Sequence, residues 1–200
     1  MSLACASYKF FIDPLLANLR RTVASLIPHE SSVLEIASGT GAQSLLLART
    51  GRRVVGIDIN DVMTSCASQR AENLNLDNIT YHTADGSNLD FIADKEFDFT
   101  TITLALHELN DELRKQILKE MQRISTHMIL VDYSVPLPKN ISGWGCRHIE
   151  MLAGGAHYAG FKNYEERGGL PAILDEMGFT LVNQYTAIGT SIIIIEVSPS

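Results

Sequence analysis

Apolar and polar positions along the chain change period several times, and each change marks an element. After Asp13-Pro14, a cap followed by a first-turn proline, Leu15, Leu16, Leu19, Val23 and Leu26 recur at helical spacing until Pro28. Short apolar runs then alternate with helical patterns. Strands are expected at 32–36, 53–58, 79–83, 97–105 and 127–133. Helices are expected at 42–50, closed by Gly51, at 61–75, and at 111–124, where Leu113, Ile117, Leu118, Met121 and Ile124 share one face. Strands separated by helices pair in parallel through right-handed crossovers, because each parallel return needs a long connection.

The pattern breaks after Pro136 and Pro138. Residues 143–169 are rich in glycine and aromatics, and a short helix is expected at 170–177. Two last apolar runs, 179–187 and 190–197, are joined so briefly around Ile188-Gly189 that they must run antiparallel. The expected fold class is α/β: a doubly wound, mostly parallel seven-stranded sheet with an antiparallel C-terminal hairpin at or near one edge. One domain is expected over residues 1–200, divided into an N-terminal helical segment (1–30), a core (31–133), a cap (134–169), and a final helix and hairpin (170–200).

Composition narrows the function. At 200 residues, with 46% hydrophobic and 20% charged positions, the chain has the make-up of a single soluble domain. A net charge of -7 with dispersed Lys and Arg offers no basic stripe, which argues against a nucleic-acid partner. The longest strongly apolar run, Ile192 to Ile195, is too short to span a bilayer, and no basic-then-apolar leader opens the chain. No membrane partner and a cytoplasmic location are therefore expected. Cys5, Cys66 and Cys146, an odd count without a CxxC pair, read as three free thiols in a reducing compartment. A small-molecule substrate is the expected partner, and no pattern bears on oligomeric state.

The chemistry concentrates in "EIASGTGAQ" (35–43), between the first strand and its helix, where open parallel sheets meet their ligands. Gly39 and Gly41 leave room for close approach, but position 37 is Ala, and Ser44 stands where a dinucleotide fingerprint would have its third glycine. Three carboxylates end successive strands: Glu35, Asp58 and Asp85. Asp58 can accept both hydroxyls of a ribose. Three carboxylates in one crevice repel a pyrophosphate and attract a ligand bearing a sulfonium and an ammonium, which favours S-adenosylmethionine over NAD.

The segments "VLEIASGTGAQSLLLA", "VVGIDIN", "TADGSNLDF" and "FDFTTITLALHEL" resemble the ordered motifs of class I S-adenosylmethionine-dependent methyltransferases of the small-molecule type, over roughly residues 33–133. The resemblance implies a Rossmann-like fold, S-adenosyl-L-methionine as cofactor and a methyltransferase activity. By position it implies that Glu35 orients the methionine amino group and that Ala37, Ser38, Gly39 and Gly41 line the methionyl part. It further implies that Asp58 holds the ribose, Ile59 packs on adenine, Asp85 and the Gly86 backbone read the adenine edge, and Leu104 and Ala105 lie beneath the sulfonium. Met63 is a weaker candidate on the same side, and Tyr8 is a candidate contact from the N-terminal segment. The family usually has glycine where this chain has Ala37, and close approach there is expected only with a negative φ.

Methyl transfer from a sulfonium is an in-line displacement, so a protein mostly aligns the partners and excludes water. If the acceptor must lose a proton, a base helps. His107 follows the fourth strand, and His148, His157 and Tyr158 fall in the cap, so these four are the candidate catalytic residues. No metal site is expected, since the His148–His157 spacing fits no common ligand pattern. Two other readings compete: a catalytically silent S-adenosylmethionine-binding module acting through a protein partner, and an NAD-dependent oxidoreductase, which Ser44 and the acidic crevice disfavour.

Overall fold

The computed structural model describes residues 12–198. Seven strands form one sheet in the order β3-β2-β1-β4-β5-β7-β6: β1 (Ser32–Ile36), β2 (Arg53–Asp58), β3 (Ile79–Thr83), β4 (Phe97–Thr103), β5 (Ser125–Tyr133), β6 (Thr180–Ala187) and β7 (Ile192–Ser198). The first five pair in parallel. β7 pairs antiparallel with β5 and with β6, so the C-terminal hairpin enters with its second strand inside and its first at the edge. The helices are α1 (Ala17–Leu26, after a separate turn Asp13–Leu15), α2 (Ala42–Arg49), α3 (Asp61–Asn73), α4 (Asp111–Ile124), α5 (Ile141–Ala153), α6 (Gly155–Glu166) and α7 (Gly169–Glu176).

The central strands β1, β4, β5 and β7 are buried along nearly their whole length, as expected for strands covered on both faces. Helices α3 and α4 start where their sequences cap them; Asn60 and Asn110 accept from Val62 N and Leu113 N at 3.0 and 2.9 Å. The parallel register then brings the carboxyl ends of β1 to β5 to one edge: Ile36 lies beside Ile57 and Ile102, Asp58 beside Thr83, and Thr103 beside Val131.

Several expected boundaries move. The N-terminal helix breaks at Leu16. β4 stops at Thr103 because Leu104 turns to φ +53°, and β5 begins at Ser125 directly after α4. The glycine- and aromatic-rich segment is two helices, α5 and α6. Asn140 caps α5 by accepting from Gly143 N at 3.0 Å, and Gly154-Gly155, both at positive φ, separate the pair. Cys66 is disulfide-bonded while Cys146 is a free thiol. That overturns the expectation of three free thiols and removes the cysteine argument for a reducing compartment; spacing carries no record of which thiols the fold brings near. Among the described residues no helix is long and apolar enough to cross a membrane.

Candidate functional site

The turn after β1 is held by backbone. Ser38 N donates to Ile57 O at 2.9 Å, and Gly39 N donates to Asp58 Oδ2 at 2.7 Å, so the carboxylate at the end of β2 pins the glycine loop of β1. Asp58 Oδ1 accepts from Asn60 N at 2.9 Å. Gly41 sits at φ +75°, and a Cβ there would lie 2.4 Å from the Tyr81 hydroxyl, so only glycine fits. At Gly39, φ +52°, a Cβ would meet nothing within 4 Å: the backbone faces open space. Ala37 takes φ +54°, against the expected negative value, because the chain must reverse immediately after Ile36.

A crevice of about 240 Å³ opens beside this turn. Of the expected residues, Ala37, Asp58, Ile59, Asp85, Gly86 and Ala105 line it, with Ile36, Ile57, Ile102 and Leu109 as apolar walls. Asp85 also accepts from Ser87 N and Oγ, at 2.9 and 2.7 Å, and so shapes its own turn. Among the described residues, Glu35, Ser38, Gly39, Gly41, Met63 and Leu104 do not line the crevice. Tyr8 lies outside the described residues.

Glu35 is buried, and its Oε2 has no hydrogen-bond partner; the same holds for Ser38 Oγ. Burial raises the Glu35 carboxyl to about 7, with Ser44 and Arg20 pulling it part of the way back and Asp58 pushing it up. A buried acceptor left unpaired costs stability, and a cationic donor would relieve it. Open backbone at Gly39, two orphaned acceptors behind it, carboxylates at two strand ends and apolar walls suit a ligand with an aromatic base, a ribose and a positively charged head.

A second cluster stands beside the crevice. His107, in the 3₁₀ turn Leu106–Glu108 after β4, is buried; its backbone N and Nδ1 meet the two carboxylate oxygens of Asp132 at 3.0 and 2.6 Å. Its Nε2 faces Glu150 Oε1 at 3.5 Å. Glu150 comes from α5, takes a hydrogen bond from the Tyr133 hydroxyl at 2.8 Å, and meets His157 Nε2 of α6 at 2.6 Å. His157 Nδ1 lies 3.5 Å from Glu108 Oε2, and Glu108 also lines the crevice.

Helix α6 reaches this position by close packing. A Cβ at Gly160 would lie 2.1 Å from the Glu108 carbonyl oxygen, and the buried Arg114 spans from Leu106 O and Leu109 O to Asn163 Oδ1. Burial alone pulls the His107 pKa down, but the charge and hydrogen bond of Asp132, followed by those of Glu150, raise it to about 10. Glu108 is raised by burial, with His107 and His157 opposing. Glu150 is lowered: burial raises it, and His107, Tyr133 and His157 together outweigh that.

Of the four expected catalytic residues, His107 and His157 are brought together. Tyr158 stacks on Phe161 with ring centroids 6.3 Å apart. His148 bonds Trp144 O of its own helix at 2.8 Å and lies on the Trp144 ring, apart from the other two. Sequence reasoning passed over Asp132, Tyr133 and Glu108. The available signal was an Asp interrupting the buried run "MILVDY".

Residues 33–127 match a family model described as a methyltransferase domain. A demethylmenaquinone methyltransferase from Thermobifida fusca is 28% identical over 132 residues, covering 63% of this chain and 55% of that protein. The chain spans about half the length of the curated relatives it matches. A SAM-dependent methyltransferase structure from Aquifex aeolicus superposes with a TM-score of 0.71 at 17% identity, covering 100% of both chains. The magnesium protoporphyrin IX methyltransferase of Synechocystis PCC 6803, solved with bound SAH, superposes at 0.66 with 19% identity, covering 100% of this chain and 89% of its own. These likenesses show a shared fold.

Proposed function

We propose that this chain, whose residues 33–127 match the methyltransferase-domain model, is a class I S-adenosylmethionine-dependent methyltransferase that moves a methyl group from S-adenosylmethionine to a small-molecule acceptor held between the crevice and helices α5 and α6. The observation that carries this reading is the pairing of an acid-rimmed, apolar crevice with two buried, unpartnered acceptors behind open backbone at Gly39. When bound, the cofactor supplies a methyl carbon on a sulfonium, which an acceptor atom takes in line while the S–C electron pair stays on sulfur.

The chain's own residues do the rest. Asp58 holds the ribose hydroxyls while fixing the glycine turn, and Ile59, Asp85 and Gly86 enclose the base. Glu35 and Ser38 answer the charged head through the loop. Ala105 and Glu108 face the acceptor side. His107, fixed through Nδ1 by Asp132 and facing Glu150 through Nε2, orients that carboxylate. An acceptor proton passes to Glu108, whose raised pKa makes it a stronger base than an exposed carboxylate, with His157 next to it.

Titration calorimetry with S-adenosylmethionine and S-adenosylhomocysteine tests the binding half, and turnover on a panel of hydroxyl, thiol and amine acceptors tests the transfer half. Absence of binding by the folded wild-type chain overturns the reading. Binding without turnover on any acceptor would favour a silent binding module instead.

A further inference from the structure

We infer that His107, Glu150 and His157 form a binding site for one divalent first-row transition-metal ion, Zn²⁺ or a chemically similar cation, on the acceptor side of the crevice. The three side chains each present one ligand atom, and these atoms lie within 4.8 Å of one another. Four ligands at the usual ~2.0–2.2 Å from zinc stand roughly 3–3.6 Å apart, so the 3.5 Å between His107 Nε2 and Glu150 Oε1 is already a ligand spacing. The 2.6 Å contact of His157 Nε2 with Glu150 Oε2 opens when a cation comes between them.

The surroundings carry the inference further than the trio alone. Both imidazoles turn Nε2 to the same carboxylate, and in both Nδ1 faces a different one: Asp132 at 2.6 Å for His107, Glu108 at 3.5 Å for His157. A carboxylate on the far nitrogen fixes ring orientation and strengthens the near nitrogen as a donor, the arrangement that supports metal-bound histidines. The Tyr133 hydroxyl satisfies Glu150 from behind. Three carboxylates against two imidazoles leave the cluster anionic whatever the imidazoles carry. Two imidazoles and a carboxylate select first-row transition ions over Mg²⁺ or Ca²⁺, which prefer all-oxygen sets.

Three protein ligands leave a position open, and Glu108 joins the cluster to the crevice. In its second half the inference rests on the methyl-transfer reading: the acceptor would be a molecule with an oxygen or sulfur donor able to take that position beside the cofactor.

Metal uptake is tested on the chain stripped with a chelator and titrated with Zn²⁺, and separately with Co²⁺, followed by calorimetry and by the visible absorption of bound Co²⁺. One-to-one binding that falls by at least about 100-fold in both Glu150→Gln and His157→Gln supports the site. His157 is half-exposed on α6, so its variant keeps the fold if the buried Glu150 variant does not, which circular dichroism reports. Failure of the wild type to take up either ion, or uptake that persists undiminished in His157→Gln, overturns the inference. S-adenosylmethionine binding measured on the same samples separates the two ideas. Metal binding without cofactor binding defeats the proposed function alone, and cofactor binding without metal uptake defeats this site alone.

Discussion

Glu35 and Glu150 are both almost fully buried, yet burial has opposite outcomes in the two regions they occupy. Behind the glycine turn, Glu35 has one oxygen without a partner and its pKa rises to about 7. Under the cap, Glu150 meets His107, Tyr133 and His157, and its pKa falls below the ordinary value. The same desolvation acts on each; the neighbours decide its result. The first region leaves a buried carboxylate oxygen unpaired, while in the second both oxygens of Glu150 have partners. An unpaired buried acceptor costs stability, whereas a network of paired groups fails when one member is removed.

The network should break hardest. Asp132→Ala strips His107 of the carboxylate that sustains its charge, and removing one partner of a buried pair costs about 3–5 kcal/mol; urea unfolding should register it, and Asp132→Asn, which keeps a hydrogen-bonding group, should lose less. A loss under 1 kcal/mol would show that the cluster is not held by Asp132.

The unpaired Glu35 carboxyl should show itself through pH. Glu35 titrates near 4.5 unfolded and about 7 folded, so between these values the folded chain keeps a proton that the unfolded chain has lost. The contribution is fully present below pH 4.5 and is lost as pH rises through 7, by up to about 1.4 kcal/mol per unit and ~3 kcal/mol in all. Glu35→Gln should be free of that loss: near pH 7.5 it should be more stable than wild type without ligand and bind S-adenosylmethionine more weakly. Parallel stability–pH curves for the two proteins would sink the assignment.

In the lining of the crevice, Asp58→Ala should weaken S-adenosylmethionine binding by roughly 1.5–3 kcal/mol, the scale of a hydrogen-bonded charged group. Calorimetry on the folded variant checks this, and unchanged affinity would take Asp58 out of the site. The smallest effect belongs to Ala37. Glycine there removes a left-handed strain of about 1–2 kcal/mol and gives back about 0.5–1 kcal/mol in chain entropy, so Ala37→Gly should raise stability by no more than ~1.5 kcal/mol. A thermal melt that drops by several degrees would contradict it.

Whatever depends on neighbours in sequence was legible in sequence. Period-two and helical patterns are local, so the strands of the sheet, the Asn-capped helices and the final hairpin could be read from them, and a strand followed by a glycine turn announces where a ligand meets the backbone. The carboxylates of Asp58 and Asp85 were legible for the same reason: each closes its own strand, and parallel pairing alone brings strand ends to one edge. Residues 143–169 offered no readable element because glycine and aromatics weaken the helical pattern, while the Asn140 cap and packing on the 3₁₀ turn supply what propensity lacks. The left-handed Ala37 and the Cys66 disulfide were hidden because each depends on how the chain is bent around it. The cluster of Glu108, Asp132, Glu150 and His157 around His107 belongs to the tertiary structure alone. It joins a turn, a strand and two helices at separations that no periodicity encodes, and its energies exist only once those groups share a region that water has left.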